Sequence, residues 1–369
     1  MLLEKFSVKN YKNFKDWFVL NLSDIRDYKF NKESTLNGLV KTGVIYGKNS
    51  VGKTNFGYAI FDITYHIADK MRMPEATEFY SNADSEDRVV EFAYDFRCSD
   101  GKRVEYSYKK LNSYHLVEEI LKVEGELWFK YDYSKKEGDF EFLKAIPELK
   151  DVNWGFKDVG MSYIRFLANN SNLPISNPII ELYNFVNKML WFKSVDGMNN
   201  FIGFRANPDN ILDYVVRNDL LEELNAFLKE NGVDEQLVCE ITPDEQKVVY
   251  FKHKMLLPFG LASSGTKALF LFFFWYKQLS EASFVFIDEF DAFYHFELAE
   301  KILKLAMTLN VQIILTSHNT NLLSNKIMRP DCYFILTKQC IISFANATTR
   351  ELREGHNLEK LFISGEFNG

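Results

Sequence analysis

The 369-residue sequence has no long apolar run and no regular cysteine spacing. Its longest apolar stretch, ALFLFFFWY at 268–276, is about half of the ~20 residues that a membrane-spanning helix needs. Charged residues appear within the first five positions, which is not the pattern of a signal peptide. Four scattered cysteines without CxxC spacing favour free thiols over a metal site or disulfides. We therefore expect a cytoplasmic protein with no membrane partner.

An excess of basic residues is also missing, since the formal net charge is −7 and the pI is about 5.6. This charge excludes a protein that coats nucleic acid through overall positive charge and does not indicate a nucleic-acid partner, although a local basic groove is compatible with it. What the sequence has instead is aromatic residues, with 34 Phe and 19 Tyr. Most of these side chains must be buried, so we expect a well-formed core.

The spacing of apolar residues predicts an α/β protein in three parts. Residues 1–139 predict a β-hairpin, a strand at 42–47, a helix over 54–69 and then antiparallel strands. Residues 140–235, with LPISNPIIELYNFVNKMLWF, have the three-to-four spacing of amphipathic helices and predict a mainly helical insertion. Residues 236–369 return to apolar strands alternating with helices, which indicates a parallel sheet covered on both faces.

Residues 43–56, GVIYGKNSVGKTNF, contain the phosphate-binding pattern G-x-x-x-x-G-K-[ST]. An apolar strand precedes it and a helix follows, which favours a phosphate cradle over a simple glycine-rich turn. Its glycines let backbone N–H groups face phosphate oxygens at a helix N-terminus. Lys53 would reach the β- and γ-phosphates and Thr54 would hold Mg²⁺, so we expect ATP and Mg²⁺ as cofactors. The nucleotide-binding residues expected here are Gly47, Lys48, Asn49, Ser50, Val51, Gly52, Lys53, Thr54 and Asn55.

A second site is the apolar strand in SFVFIDEFD, which ends in two acids. Such a pair alone is usually a solvated loop, but after a P-loop it predicts chemistry. Asp288 would lie on the Mg²⁺ side of the nucleotide. Glu289 would orient and polarise the attacking water.

The third site is LASSGTKALFLFF, where a Ser-Ser-Gly-Thr loop opens an apolar helix. A helix N-terminus of this kind binds anions, and the P-loop already supplies one cradle. The loop therefore predicts a second nucleotide-facing surface, with an ordinary N-capped helix as the alternative. In QIILTSHNT, His318 follows a buried strand, a position where a lone histidine is more often structural.

Taken in order, these motifs resemble the ABC-type ATPase heads, which include transporters, SMC and double-strand-break repair ATPases and the overcoming-lysogenization-defect (OLD) nucleases. In such heads the serine-glycine loop contacts the γ-phosphate held by the partner subunit. The resemblance implies a γ-phosphate-sensing role for His318 and places Asp291 in a loop that contacts the opposite subunit. The residues implied to act in trans are Ser263, Ser264, Gly265 and Thr266. The catalytic set is Glu289, Lys53 and His318.

Residues 1–70 and 255–369 resemble more closely a bacterial AAA-type ATPase family near the OLD ATPases, through segments such as SSGTKALF, DEFDAFYHFEL and TSHNTNLLS. Members often stand beside an effector gene and serve in defence against phage, as in the ATPase of the PARIS system. The resemblance implies an ATP-sandwich dimer, or a multiple of it, that controls a soluble effector protein such as a nuclease.

The sequence departs from that family in two ways. Lys12 stands where relatives usually carry Arg, and an ammonium cannot clamp a phosphate bidentately. No glutamine lies in 85–135, so the residue that couples the Mg²⁺ side to the lobe interface is unassigned. The OLD nucleases carry a Toprim nuclease region after the ATPase, but residues 319–369 are too few for one and lack clustered acids, so we expect no nuclease activity in this chain.

Three alternatives stay open. An SMC- or repair-like head that engages DNA usually carries a coiled-coil arm, and 140–235 has no sustained heptads. A transporter ATPase subunit would need the missing glutamine. A protein that has lost hydrolysis is the third, and Lys53 and Glu289 speak against it.

Overall fold

The computed structural model of the protein describes residues 1–155, 158–194, 201–203, 211–243, 247–252 and 257–367. The strands are β1 (Leu2–Lys9), β2 (Phe18–Asn21), β3 (Thr35–Leu36), β4 (Leu39–Val40), β5 (Thr42–Tyr46), β6 (Val90–Arg97), β7 (Arg103–Asn112), β8 (His115–Val123), β9 (Glu126–Asp132), β10 (Glu137–Asp139), β11 (Met189–Lys193), β12 (Phe201–Ile202), β13 (Leu237–Ile241), β14 (Lys247–Phe251), β15 (Leu257–Pro258), β16 (Phe284–Asp288), β17 (Gln312–Ser317), β18 (Tyr333–Leu336) and β19 (Ile341–Ser343). The α-helices are α1 (Lys53–Phe61), α2 (Ile63–Ile67), α3 (Pro74–Thr77), α4 (Glu141–Lys144), α5 (Tyr163–Asn170), α6 (Pro178–Asn187), α7 (Ile211–Arg217), α8 (Leu221–Glu230), α9 (Ser264–Tyr276), α10 (Phe296–Thr308) and α11 (Leu358–Ile363).

The central sheet is mixed, and it contains the strands that lead into the predicted motifs. Its order is β12-β11-β16-β17-β5-β18-β19, with parallel pairing from β11 through β18 and antiparallel strands at both edges. Strands β5, β16 and β17 are fully buried. Because parallel strands end at the same edge, the P-loop, the acidic pair and the histidine loop meet there.

A second sheet is antiparallel throughout, in the order β10-β9-β8-β7-β6-β1-β2. Its strand β6 alternates strictly between buried and half-buried residues, as expected for a sheet with one covered face. The buried Gln312 side chain joins the two sheets, since it accepts from Leu3 N (2.7 Å) and donates to Leu3 O (2.9 Å) and Val40 O (3.1 Å). The α/β class expected from the sequence, a mixed sheet with an antiparallel β-subdomain, is confirmed.

Helices cover both faces of the central sheet. Trp191 of β11 contacts Tyr58 of α1, with ring centroids 4.9 Å apart. The next residue, Phe192, stacks on Trp275 of α9 at 5.7 Å. Successive strand residues point to opposite faces, so α1 and α9 lie on opposite sides of the sheet. The end of β11 is therefore fixed from two directions.

The segment Met189–Lys193 is a strand, and the prediction that a helix continues through MLWF is wrong. Helix α6 ends at Asn187, and β11 then pairs in parallel with β16. A short apolar run without interleaved polar residues fits a buried strand as well as a helix, so periodicity could not separate the two. The predicted boundaries at 139/140 and 235/236 stay predictions, but the middle interval contributes two strands, β11 and β12, to the central sheet.

Within the described residues, no helix is both long and apolar enough to cross a membrane.

Candidate functional site

The P-loop connects the end of β5 to the start of α1. The Lys53 side chain is only 7% exposed and curls back into the loop, where its Nζ donates to the carbonyl oxygens of Gly47 (2.9 Å) and Lys48 (3.3 Å). Burial lowers the pKa of the Lys53 ammonium, while Asp288 and Glu289 act in the opposite direction. The loop thus holds a cation at the N-terminus of a helix, which is the arrangement that binds phosphate.

Two glycines of the P-loop stand where a side chain would not fit. Gly52 has a φ of +101°, and a Cβ there would lie 2.4 Å from the Asn13 side chain. A Cβ on Gly47 would lie 2.7 Å from the carbonyl oxygen of Leu336. Asn13 itself donates to Val51 O at 2.9 Å, so the turn between β1 and β2 braces the P-loop from outside.

Asp288 lies at the end of β16 and touches the P-loop directly. Thr54 Oγ1 donates to Asp288 Oδ2 at 2.6 Å, and Thr316 Oγ1 of β17 donates to Oδ1 at 2.7 Å. Asp288 is fully buried, and burial raises the pKa of its carboxyl group despite these two hydroxyl donors. The structure therefore brings together the two residues that the sequence predicted as Mg²⁺ ligands.

Glu289 adopts a backbone conformation that is uncommon for a non-glycine residue, with a φ of +49°. Its N–H donates to Thr316 Oγ1 at 2.8 Å, which holds the backbone against β17. Its Oε2 lies 3.7 Å from Lys193 Nζ at the end of β11. Strained conformations of this kind cluster at functional sites, where the surrounding structure holds them.

His318 follows β17 directly, and its side chain is exposed at the same sheet edge. Burial of part of the ring and the nearby Lys53 charge lower the pKa of the imidazole. Asp291 is buried and accepts from Ser317 Oγ at 2.6 Å, and its expected place in a loop that contacts another subunit stays a prediction.

The serine loop lies apart from these residues. Ser263 caps α9, since its Oγ accepts from Thr266 N at 3.1 Å. Ser263 and Ser264 are exposed, whereas Gly265 and Thr266 are half-buried. Among the described residues, no hydrogen bond joins the segment Ser263–Thr266 to the P-loop. The structure thus groups the P-loop, the acidic pair and His318, and it leaves the serine loop outside that group.

The residues present fit a nucleotide with Mg²⁺. The Thr54 hydroxyl and the Asp288 carboxylate offer hard oxygen atoms, which Mg²⁺ prefers. No cluster of three or more His, Cys, Asp or Glu side chains suited to a metal ion occurs in the described part of the chain. At nucleotide sites Mg²⁺ is usually bound by one or two protein side chains together with phosphate oxygens of the nucleotide. The Thr54 and Asp288 oxygens therefore agree with a Mg²⁺ ion that binds together with ATP.

Sequence reasoning missed three members of the site. Asn13 and Thr316 gave no signal because a single polar residue beside a strand is common. Lys193 directly follows the segment that the sequence assigned to a helix, and its position follows only from the pairing of β11 with β16. Lys12, considered as a phosphate contact, donates to the backbone oxygen of Glu78 at 2.5 Å.

Comparison with solved structures found SMC head domains and a recombination mediator protein. The chain is 14% identical to the SMC head domain from Thermotoga maritima, covering 93% of this chain and 99% of that one, with a TM-score of 0.44. It is 13% identical to the Smc head domain with an extended coiled coil bound to the C-terminal domain of ScpA from Pyrococcus furiosus, with full coverage of both chains and a TM-score of 0.45. For the recombination mediator protein RecF with ATP the values are 15% identity, 93% and 97% coverage and a TM-score of 0.41.

A search of curated proteins gave no match. A family profile did match, over residues 44–324, which is well over half of the chain. That interval begins inside β5 and ends just after His318, so it contains the P-loop, the serine loop, the acidic pair and the histidine. The chain belongs to the AAA-domain ATPase family described as "AAA domain, putative AbiEii toxin, Type IV TA system".

Proposed function

We propose that this protein is an ATP-binding and ATP-hydrolysing switch. Two copies close around ATP, and the closed form controls a separate soluble effector protein in defence against phage. The observation that carries the proposal is the hydrogen-bonded connection from Thr54 through Asp288 and Thr316 to Glu289. It joins the residue that would bind Mg²⁺ to the residue that would activate water.

In this proposal each residue has a role that its position supports. Lys53 and the P-loop N–H groups bind the phosphates, and Thr54 with Asp288 holds Mg²⁺. Bound Mg²⁺ would neutralise charge on the β- and γ-phosphate oxygens. Glu289, half-buried at the end of β16, accepts the proton of the attacking water. His318 lies next to Lys53 at the edge where the γ-phosphate would be held.

The exposure of the serine loop supports the role in trans. Ser263, Gly265 and Thr266 line an open cavity together with Phe293 and His295. A capped helix N-terminus facing outwards can meet the phosphate held by a second copy. Closure around ATP then changes which form predominates, because only the closed form contacts both nucleotides fully.

The effector and the defence role rest on two supports. The family description names a toxin of a type IV toxin–antitoxin system. The sequence segments SSGTKALF, DEFDAFYHFEL and TSHNTNLLS resemble defence ATPases that act with a partner protein. We propose a soluble effector, such as a nuclease, as the second component.

The test is the native mass of the Glu289→Gln protein, co-expressed with the products of its flanking genes, with and without Mg-ATP. Removal of the general base should leave ATP bound but unhydrolysed, so the variant should accumulate as an ATP-dependent dimer or a multiple of it. Co-purification of a soluble neighbour would identify the effector class. A monomer that ignores ATP and holds no partner would overturn the proposal and favour the DNA-engaging head instead.

Two variants serve as matched controls. Lys53→Ala should abolish nucleotide binding, because the phosphates lose the cation inside the loop. Ser264→Arg should prevent dimer formation while ATP still binds the single chain, because Ser264 is exposed and no hydrogen bond between described residues joins it to the P-loop. Loss of single-chain ATP binding in Ser264→Arg would contradict the role in trans.

A further inference from the structure

Lys193 lies at the carboxyl end of β11, beside the two acids at the end of β16. In the register of this parallel pair, Lys193 stands opposite Asp288, and Ser194 N donates to Asp288 O at 3.2 Å. The Lys193 ammonium lies 3.7 Å from Glu289 Oε2. The side chains are 19% and 32% exposed, respectively. The contact is thus half-shielded from water at the edge where nucleotide would bind.

The two strands that flank β16 hold Glu289 from opposite sides. On the β17 side, Thr316 Oγ1 accepts the Glu289 N–H, which fixes a backbone with a φ of +49°. On the β11 side, Lys193 attracts the carboxylate. The backbone of Glu289 and its carboxylate are therefore held by different residues, which restricts where the carboxylate can lie.

Strand β11 is itself held rigidly, so Lys193 is a fixed anchor. Its residues Trp191 and Phe192 contact helices on opposite faces of the sheet, through Tyr58 and Trp275. A cation whose backbone is clamped in this way can position a partner at little cost in entropy.

We propose that Lys193 is a positioning residue for Glu289. Its ammonium draws the Glu289 carboxylate towards β11 and keeps it beside Asp288, where it is ready to accept a proton from the attacking water. This inference rests on the proposed function, because it assigns Glu289 the role of general base. It adds a residue from the middle interval of the chain to a site that otherwise comes from the first and last parts.

The role predicts a specific kinetic effect. Lys193→Met keeps the length of the side chain and removes the charge. Misplacement of a general base reduces the chemical step, so kcat should fall by about tenfold, while KM for ATP should stay close to the wild-type value. Lys193→Arg keeps a cation at this place and should restore most of the rate.

A matched control lies at the other end of the same strand. Lys188 is exposed and precedes β11, far from the acidic pair. Lys188→Met removes the same charge from the same segment and should leave kcat and KM unchanged. Equal rates for Lys188→Met and Lys193→Met, or failure of Lys193→Arg to restore activity, would overturn the proposal. A parallel fall in kcat and rise in KM would also overturn it.

A second readout needs neither ATP nor activity. In the nucleotide-free full-length protein, acetylation of Lys193 can be compared between wild type and Glu289→Gln by mass spectrometry, with Lys188 as the internal reference. An ammonium in an ion pair is less available as a free amine, so labelling of Lys193 should rise by about twofold or more when the carboxylate is removed. Unchanged labelling would mean that the pair does not form, and would overturn the inference.

The two readouts separate this inference from the proposed function. If the wild-type protein hydrolyses no ATP but Lys193 labelling responds to Glu289→Gln, the proposed ATPase fails while the ion pair stands. If the wild-type protein hydrolyses ATP, but neither kcat of Lys193→Met nor the labelling of Lys193 in Glu289→Gln changes, the proposed ATPase stands and the positioning role fails.

Discussion

Two buried aspartates in this chain have opposite surroundings. Asp62, between α1 and α2, accepts from Lys110 Nζ (2.5 Å) and Tyr108 OH (3.0 Å) on one oxygen and from Tyr80 OH (2.7 Å) on the other. The side-chain carboxylate of Asp288, at the end of β16, accepts only from neutral hydroxyl groups among its hydrogen bonds to described residues, those of Thr54 and Thr316. Asp62 and Asp288 are 1% and 0% exposed.

The difference separates a carboxylate that completes the fold from one that awaits a ligand. The cluster around Asp62 contains its own cation, since Lys110 is also fully buried, so charge is balanced within the protein. At Asp288 the negative charge of the carboxylate is not fully balanced by neighbouring groups, and burial raises the pKa of this carboxyl group. A divalent cation would supply the missing positive charge. The first cluster should therefore govern stability and the second should govern activity.

The largest effect is expected at the Asp62 cluster. Lys110→Met would leave the Asp62 carboxylate buried without a cation, which should cost about 3–5 kcal/mol of unfolding free energy. Chemical denaturation at neutral pH measures this loss, and Lys109→Met, at a partly exposed neighbour on the same strand, is the control. Folded Lys110→Met protein should still hydrolyse ATP. A variant as stable as Lys109→Met would remove the distinction between the two aspartates.

Asp288→Asn should reduce activity and leave stability nearly unchanged, the opposite of Lys110→Met. Without the carboxylate the site loses a charged oxygen for Mg²⁺, and kcat should fall about a hundredfold, or about 2.7 kcal/mol. The unfolding free energy should stay within about 1 kcal/mol of wild type, because the lost charge was poorly compensated in the nucleotide-free fold. Steady-state ATPase assays and denaturation check the two parts, with the exposed Asp100→Asn as control. A loss of stability as large as that of Lys110→Met would contradict the contrast.

Tyr80→Phe tests a single bond of the complete cluster. It removes one hydrogen bond to a carboxylate that keeps two others, so we expect a loss of about 2 kcal/mol in unfolding free energy. Tyr94→Phe is matched in size and burial but removes bonds to neutral partners only, the carbonyl oxygens of Ala59 and Ile60 and the hydroxyl of Tyr108. Thermal or denaturant unfolding should rank Tyr80→Phe as the more destabilised of the two. The reverse order would show that charge does not strengthen the Asp62 cluster.

Thr316→Val tests a single hydroxyl group beside Asp288, the aspartate whose charge is only partly balanced within the protein. The hydroxyl donates to Asp288 and accepts from Glu289 N, so its loss should disturb both acids and reduce kcat by about tenfold, or about 1.4 kcal/mol. Thr308→Val, at the exposed end of α10, is the control. ATPase assays at saturating ATP measure the change. An unaltered kcat would mean that Glu289 does not depend on this anchor.

The sequence could predict those features of the fold and the site that depend on residues close together in the chain. The P-loop, the capped serine loop and the acids after FVFI depend on neighbouring residues, and these elements lie where the sequence predicted them. The Asp62 cluster joins residues far apart in the chain, and nothing near Asp62 points to Lys110. The same holds for Lys193 beside Glu289, because MLWFK has no polar residue inside its apolar run to show strand alternation. Contacts between distant strands need the sheet order, which no local pattern contains.

The position of β5 in the sheet bears on how the chain is made. β5 lies near the amino terminus, yet both of its neighbours, β17 and β18, come from the last part of the chain, and Thr42 pairs with Ile313. While the ribosome synthesises the intervening residues, the strand that presents the P-loop has no partner on either side. Contacts of such sequence separation form late and slowly, and an unpaired apolar strand invites aggregation meanwhile. We therefore expect the nucleotide site to be among the last parts of the molecule to form, because a chain that lacks β17 and β18 carries the P-loop sequence without its neighbouring strands.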